Sequence, residues 1–197
     1  MREGKASLRK RIQARLDQLD KESIERKSRL ISEALFQCGC WCEADMVLCY
    51  LSFDGEVETK WIIDRAFEEN KTVGVPRVTG DLLSFYRISD RKHSLAENQW
   101  GIKEPGRNLP EIDLRQISGV VGKILIIAPG LAFDRQKNRL GRGKGYYDRF
   151  LAAVRESRGR DIFAVALSFR EQLVRSVPVS EHDRKLDMII VENQIIL

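Results

Sequence analysis

Apolar residues recur at helical spacing at Leu8, Ile12, Leu16 and Leu19, which predicts an amphipathic helix over residues 5–19. A second helix is expected over 21–36 with Ile24, Ile31 and Leu35 inward and a break near Asp20. The period then changes. Residues 46–51, Met-Val-Leu-Cys-Tyr-Leu, are continuously apolar, as a strand covered on both faces requires. A turn around Gly55 follows, then a helix over 59–69 that buries Trp61, Ile62, Ala66 and Ile63. Strands are predicted over 72–75, stopped by Pro76, and over 82–88. Residues 89–118 are charged and irregular, a loop long enough to close over a ligand. Strand character returns over 123–128. A glycine-rich loop, a helix over 144–157, a strand over 162–167, a short helix over 170–174 and a last strand over 187–191 complete the pattern.

Strands alternating with helices predict a single α/β domain over residues 1–197. It has three layers, a mostly parallel central sheet with helices on both faces and an N-terminal helical segment, as in scaffolds of the CoA-transferase and sugar-phosphate-isomerase kind. In such a sheet the strand C-terminal ends share one edge, where ligands bind. The turns after Leu51, Val75, Ala128 and Leu167 are expected to converge there.

Composition narrows the classes. Of 197 residues, 43% are hydrophobic and 32% charged, enough for a core without disulfides or a structural metal. No apolar run reaches the roughly 18 residues of a membrane span, and the polar start predicts a cytoplasmic chain without a signal peptide. Cys38, Cys40, Cys42 and Cys49 lie far in sequence from His93 and His182. They read as reduced thiols near a helix end and a buried strand rather than a zinc site. The net charge is +5, and residues 135–160 hold nine Lys or Arg against two acidic residues. That concentration attracts anions.

The chemistry concentrates in Ala128-Pro-Gly-Leu-Ala-Phe-Asp134 and Arg139-Leu-Gly-Arg-Gly-Lys-Gly-Tyr-Tyr-Asp148. Alternating glycines let a ligand approach main-chain amides. At a helix start those amides form an anion site, strengthened by the helix dipole. Arg139, Arg142 and Lys144 add fixed positive charge. Asp148, one turn into the helix, sits sensibly beside phosphates if a magnesium ion intervenes, or else is a carboxylate favoured near a helix N-terminus. The motif is neither a Walker A loop, since Gly145 follows Lys144, nor a dinucleotide fingerprint.

Pro-Gly-Leu-Ala-Phe-Asp followed by Arg-Leu-Gly-x-Gly-x-Gly-Tyr-Tyr-Asp is very similar to the signature of the 5-formyltetrahydrofolate cyclo-ligases. Lys5-Ala-Ser-Leu-Arg9, Trp100-Gly-Ile-Lys-Glu-Pro105 and Pro178 through Asp183 to Asp187 resemble further segments of that family. The resemblance implies ATP-dependent closure of 5-formyltetrahydrofolate to 5,10-methenyltetrahydrofolate, with ATP and Mg2+ bound. It implies ATP contacts from Lys5, Arg9 and residues 139–147, namely Arg139, Leu140, Gly141, Arg142, Gly143, Lys144, Gly145, Tyr146 and Tyr147, with Arg142 and Lys144 acting catalytically. It implies folate contacts from Leu51, Glu56, Trp100 and Tyr146, and magnesium ligation by Asp148 and Asp183. The partner is then a small molecule, with no nucleic acid and no membrane, and the working unit a monomer. One position departs: where the family usually has Gly, two residues before Arg139, stands Lys137, so Asn138 is expected to supply the positive φ of that turn.

His182 reads as a supporting residue beside Asp183, His93 as solvated, and Trp61 as core. Two other readings compete. One is a sugar-phosphate isomerase or acyl-CoA transferase-like enzyme on the same scaffold, which would need no ATP. The other is a nucleic-acid binder using the basic stretch, whose affinity would fall steeply with salt.

Overall fold

The structure, a computed structural model, describes residues 3–53, 55–91, 94–97, 103–114, 122–158 and 161–197. Three helices lead: α1 (Lys5–Leu16), α2 (Lys21–Phe36) and α3 (Gly39–Cys42). Then come β1 (Ala44–Cys49), α4 (Lys60–Glu68), β2 (Thr72–Thr79), β3 (Leu82–Ile88), β4 (Leu95–Glu97), β5 (Lys103–Pro105), β6 (Lys123–Ile127), β7 (Ala132–Phe133) and β8 (Arg139–Leu140). The chain ends with α5 (Tyr146–Arg158), β9 (Ile162–Leu167), a 3-10 turn (Arg170–Gln172), β10 (Met188–Val191) and β11 (Gln194–Ile196). Asp20 caps α2, accepting the Ser23 amide at 2.7 Å, which accounts for the break between the first two helices.

One seven-stranded sheet runs in the order β11-β10-β9-β6-β1-β2-β3. β2, β1, β6, β9 and β10 pair in parallel, and β3 and β11 close the edges antiparallel. Alternation along each strand sorts the core in two. Val47, Cys49, Leu125, Ile127, Val165 and Leu167 face α1, α2 and α4, where Leu8, Ile12, Ile31, Leu35, Ile62 and Ala66 bury. Met46, Leu48, Ile124, Ile126, Ala164 and Ala166 face α5 through Leu151 and Val154. The expected single α/β domain, with its mostly parallel sheet covered on both faces, is the fold observed.

Several expectations need correction. Pro76 does not stop β2: it pairs with Phe85 of β3. The β1 ladder ends at Gly74, so beyond that point β2 is a two-stranded ribbon and a missing N–H is tolerated. Trp61 is not core. It lies partly exposed between the Arg29 guanidinium, 4.4 Å from its ring, and the Lys60 ammonium, at 4.3 Å. The first helix stops at Leu16 and α5 starts at Tyr146. Within 89–118, β4 and β5 form a small antiparallel sheet, and whether the remainder closes over a ligand falls partly outside the described residues. The short pair β7–β8 and the strand β11 went unpredicted.

The thiols sit as expected. Cys38 precedes α3, Cys49 ends β1, and both are buried and free. Burial pushes the Cys40 thiol up to about 11. No helix among the described residues is long and apolar enough to cross a membrane.

Candidate active site

The site is built outward from the C-terminal end of β6. There the chain turns through Pro129 and Gly130 into the β7–β8 ribbon, whose link is organised by Asp134. That side chain is fully buried. Its oxygens accept the amides of Gln136 and Asn138, each at 3.0 Å, the Asn138 side-chain amide at 3.0 Å and the Val177 amide at 2.8 Å. Lys137, not Asn138, takes the left-handed conformation, with φ 64°. Its amide donates to the Asp134 carbonyl and its carbonyl accepts the Leu186 amide, both at 3.0 Å. Gln172 supports the turn from below, donating to the Gly130 carbonyl at 2.8 Å.

This ribbon delivers Arg139 into the protein. Its side chain is 4% exposed, 2.9 Å from an Asp148 oxygen, and donates to the Pro129 carbonyl at 3.1 Å. Its buried Nη2 faces that carboxylate without an aligned hydrogen bond, and its buried Nε has no hydrogen-bond partner among the described residues. A buried guanidinium with unmet donors is costly unless an anion completes it.

Residues 141–145 then cross the mouth of a cleft of about 470 Å3. Gly143 (φ 112°) and Gly145 (φ 69°) adopt conformations that a side chain would strain. Arg9 of α1 donates to the Gly141 carbonyl at 2.9 Å, and Arg149 of α5 donates to the Lys144 carbonyl at 3.0 Å. The carbonyls are tied back by two arginines. Among the described residues, no protein group accepts from the amides of residues 142–148. Those unmet donors lie at the N-terminus of α5, whose dipole favours an anion. Arg142 and Lys144 are exposed beside them.

The far wall comes from α1 and the segment before β10. Lys5 lies 2.5 Å from Asp183, which also accepts the Ser180 amide at 2.7 Å and hydroxyl at 3.0 Å. Burial raises the Asp183 carboxyl, but the Lys5 ammonium and the Ser180 donors outweigh it, so its pKa lies below the usual carboxylate value. Asp148 accepts the Arg184 amide at 3.1 Å through its other oxygen. Each carboxylate keeps lone pairs beyond these contacts. Two carboxylates facing an anion cradle across one cleft fit magnesium, which keeps several waters and takes one or two carboxylates plus phosphate oxygens. A dedicated metal cage is not present: no group of three or more His, Cys, Asp or Glu among the described residues could hold a metal.

The turn after β1 supplies the remaining wall. Gly55 (φ 75°) lets Glu56 fold back. One Glu56 oxygen accepts the Phe53 amide at 3.1 Å, and the other lies 3.0 Å from Arg142. Tyr146 reaches the Gly80 carbonyl at the β2–β3 tip, 3.4 Å away. Burial pushes the neighbouring Tyr147 phenol well up, and its hydroxyl finds no hydrogen-bond partner among the described residues.

The cleft thus gathers Lys5, Arg9, Glu56, the 139–147 stretch, Asp148 and Asp183. Leu51 is not among its walls and is partly buried against the helix-side core. Trp100 and His93 lie outside the described residues. His182 does not support Asp183. It is exposed and pairs with Glu181, 3.2 Å away. The turn after Leu167 supports the cleft without lining it. Arg149, Asp134, Gln172 and Ser180 were missed. The Asp134 signal was its place in the quoted motif, while Arg149 and Ser180 had none. The basic stretch is not a free positive face either, because Arg139, Arg149 and Arg155 all have internal partners.

The chain is similar to known proteins over nearly its whole length. The model of the 5-formyltetrahydrofolate cyclo-ligase family matches residues 1–192. The chain is 33% identical over 195 residues to the mouse 5-formyltetrahydrofolate cyclo-ligase, covering 96% of this chain and 94% of the mouse protein. It is 32% identical to a probable cyclo-ligase of Schizosaccharomyces pombe, covering 98% and 97%. Among solved structures, the Aquifex aeolicus 5,10-methenyltetrahydrofolate synthetase superposes with a TM-score of 0.78 at 26% identity, covering 97% of this chain and 91% of that one. A Mycoplasma pneumoniae synthetase superposes at 0.69 with 21% identity, a likeness of fold.

Proposed function

The chain belongs to the 5-formyltetrahydrofolate cyclo-ligase family, and from that membership and the cleft we propose that it closes 5-formyltetrahydrofolate to 5,10-methenyltetrahydrofolate at the expense of ATP. The supporting observation is the loop at residues 141–145: unmet amides, two exposed cations and a buried, incompletely bonded arginine face two carboxylates. An isomerase or transferase on this scaffold would have no use for such a triphosphate cradle.

The amide oxygen of the formyl group is a poor leaving group. In the proposed reaction that oxygen attacks the γ-phosphorus of ATP, and the bond from phosphorus to the ADP oxygen breaks. The formyl carbon, now bearing phosphate, is attacked by the substrate's second nitrogen. That nitrogen loses its proton to solvent or the departing phosphate, the carbon–oxygen bond breaks, and phosphate leaves. No covalent bond to the protein is required. The protein's part is alignment and charge stabilisation.

Lys144 and Arg142 would grip the β- and γ-phosphates, with Arg139 completing its unmet donors on them and Lys5 and Arg9 closing the rear. Asp148 and Asp183 would hold Mg2+, which when bound neutralises phosphate charge. Glu56 and Tyr146 would orient the folate against the γ-phosphate. The working form we propose is a monomer in the cytoplasm.

The test is an absorbance assay for the methenyl product with 5-formyltetrahydrofolate and Mg-ATP. Turnover should vanish without ATP and on chelation of magnesium, and return when magnesium is restored. Product formed without ATP would refute the reading.

A further inference from the structure

Glu56 and Arg142 belong to different halves of the proposed reaction, yet they hold each other. Resting on the reading above, we propose that this ion pair makes folate binding conditional on nucleotide: ATP draws Arg142 onto its phosphates and so frees the Glu56 carboxylate to accept hydrogen bonds from the folate ring.

Both Glu56 oxygens are already engaged. Its side chain is 18% exposed. One oxygen takes the Phe53 amide at 3.1 Å and the other the Arg142 guanidinium at 3.0 Å. A ring presenting N–H donors to this carboxylate therefore meets a competing cation already in place. Among the described residues, Arg142 is tied only at that end. Its side chain is 56% exposed and rides on a loop with glycine on either side. A triphosphate carries several negative charges against the single charge of Glu56, and it would lie on the amides beside Arg142. The guanidinium then has a stronger partner within reach of a side-chain rotation. Coupling of this kind is reciprocal: whatever nucleotide does for folate affinity, folate does for nucleotide affinity.

Calorimetric titration of the full chain with a non-hydrolysable ATP analogue plus magnesium, and with 5-formyltetrahydrofolate, tests this. The wild type should bind the folate about ten-fold tighter with the analogue present than without it. Arg142→Met, at an exposed position, should bind the folate without nucleotide about three- to ten-fold tighter than wild type does. Glu56→Gln should bind the analogue without folate tighter by a similar factor. In the Arg142→Met background the Glu56→Gln change should leave whatever analogue affinity remains unaltered. Folate affinity that ignores the analogue in wild type, or nucleotide-free folate binding in Arg142→Met no tighter than wild type, overturns the interlock while leaving the reaction itself intact. Failure of the wild type to bind analogue or folate at all would instead remove the proposed function.

Discussion

Lys137 holds a left-handed backbone because two hydrogen bonds fix it there, one from its own amide and one to its carbonyl. A side chain at positive φ costs about 1 kcal/mol relative to glycine. Lys137→Gly relieves that strain but adds about 0.5–1 kcal/mol of unfolded-chain entropy, so stability should change by less than about 0.5 kcal/mol. Urea denaturation would check it, and a loss of about 1 kcal/mol or more would mean that the turn is not strained. Lys144 is the opposite case, exposed and without a described partner, so its removal should leave folding untouched. Lys144→Ala and Arg142→Ala should each lower turnover by about a hundred-fold or more at an unchanged melting temperature. Near-normal rates in both would remove the loop from the chemistry. The residue types of this loop announced an anion site from the sequence because glycine and basic residues have few other reasons to alternate there. Lys137 misled for a physical reason: steric cost argues against positive φ, while the Asp134 hub that enforces it is visible only in three dimensions.

At the level of elements, legibility followed periodicity. The second helix and the strands β3 and β9 fall where spacing places them, since each buries a continuous apolar stripe or face. Elements that escaped carry little periodic signal. β7 and β8 have two residues each, β11 three, and Pro76 lies in β2 where local rules forbid continuation but the neighbouring strand has already ended. Trp61 shows the same limit in reverse, since cations on two sides satisfy a ring that spacing assigns to the interior. Helix α1 joins structure to chemistry. Its Leu8, Ile12 and Leu16 are buried on one side while Lys5 and Arg9 reach the cleft. Leu8→Ala should cost about 3 kcal/mol by leaving a cavity under that helix. It should also weaken nucleotide binding, because the same displacement loosens Arg9 from Gly141. Chemical denaturation and a nucleotide titration would separate the two effects, and intact nucleotide affinity would show that α1 is dispensable to the loop.

Across the whole molecule, the cleft is closed by residues that no local pattern could bring together. Glu56 meets Arg142 across 86 positions, and Lys5 meets Asp183 across 178. The Asp183 carboxyl is held below its ordinary value of 3.8. The unfolded chain therefore binds the proton more readily than the folded one, and stability rises with pH through that window. The contribution is present above the unfolded value and lost as pH falls through the folded one. Asp183→Asn should thus cost about 1 kcal/mol near pH 7, and the difference from wild type should shrink as pH falls below the ordinary value of 3.8 and through the lower folded one. Urea midpoints across that range would measure it, and a penalty independent of pH would mean that the ion pair is not its source.

The contact from Lys5 to Asp183 also bears on how the enzyme is born. Helix α1 leaves the ribosome well before its partner, which emerges 178 residues later, on the order of ten seconds or more at about 5–20 residues per second. Until then the phosphate-facing lysine has no counter-charge, and a nascent chain has no finished cleft to load. Nucleotide can greet only a chain already made through Asp183, so ligand-assisted stabilisation follows assembly of the cleft rather than guiding it.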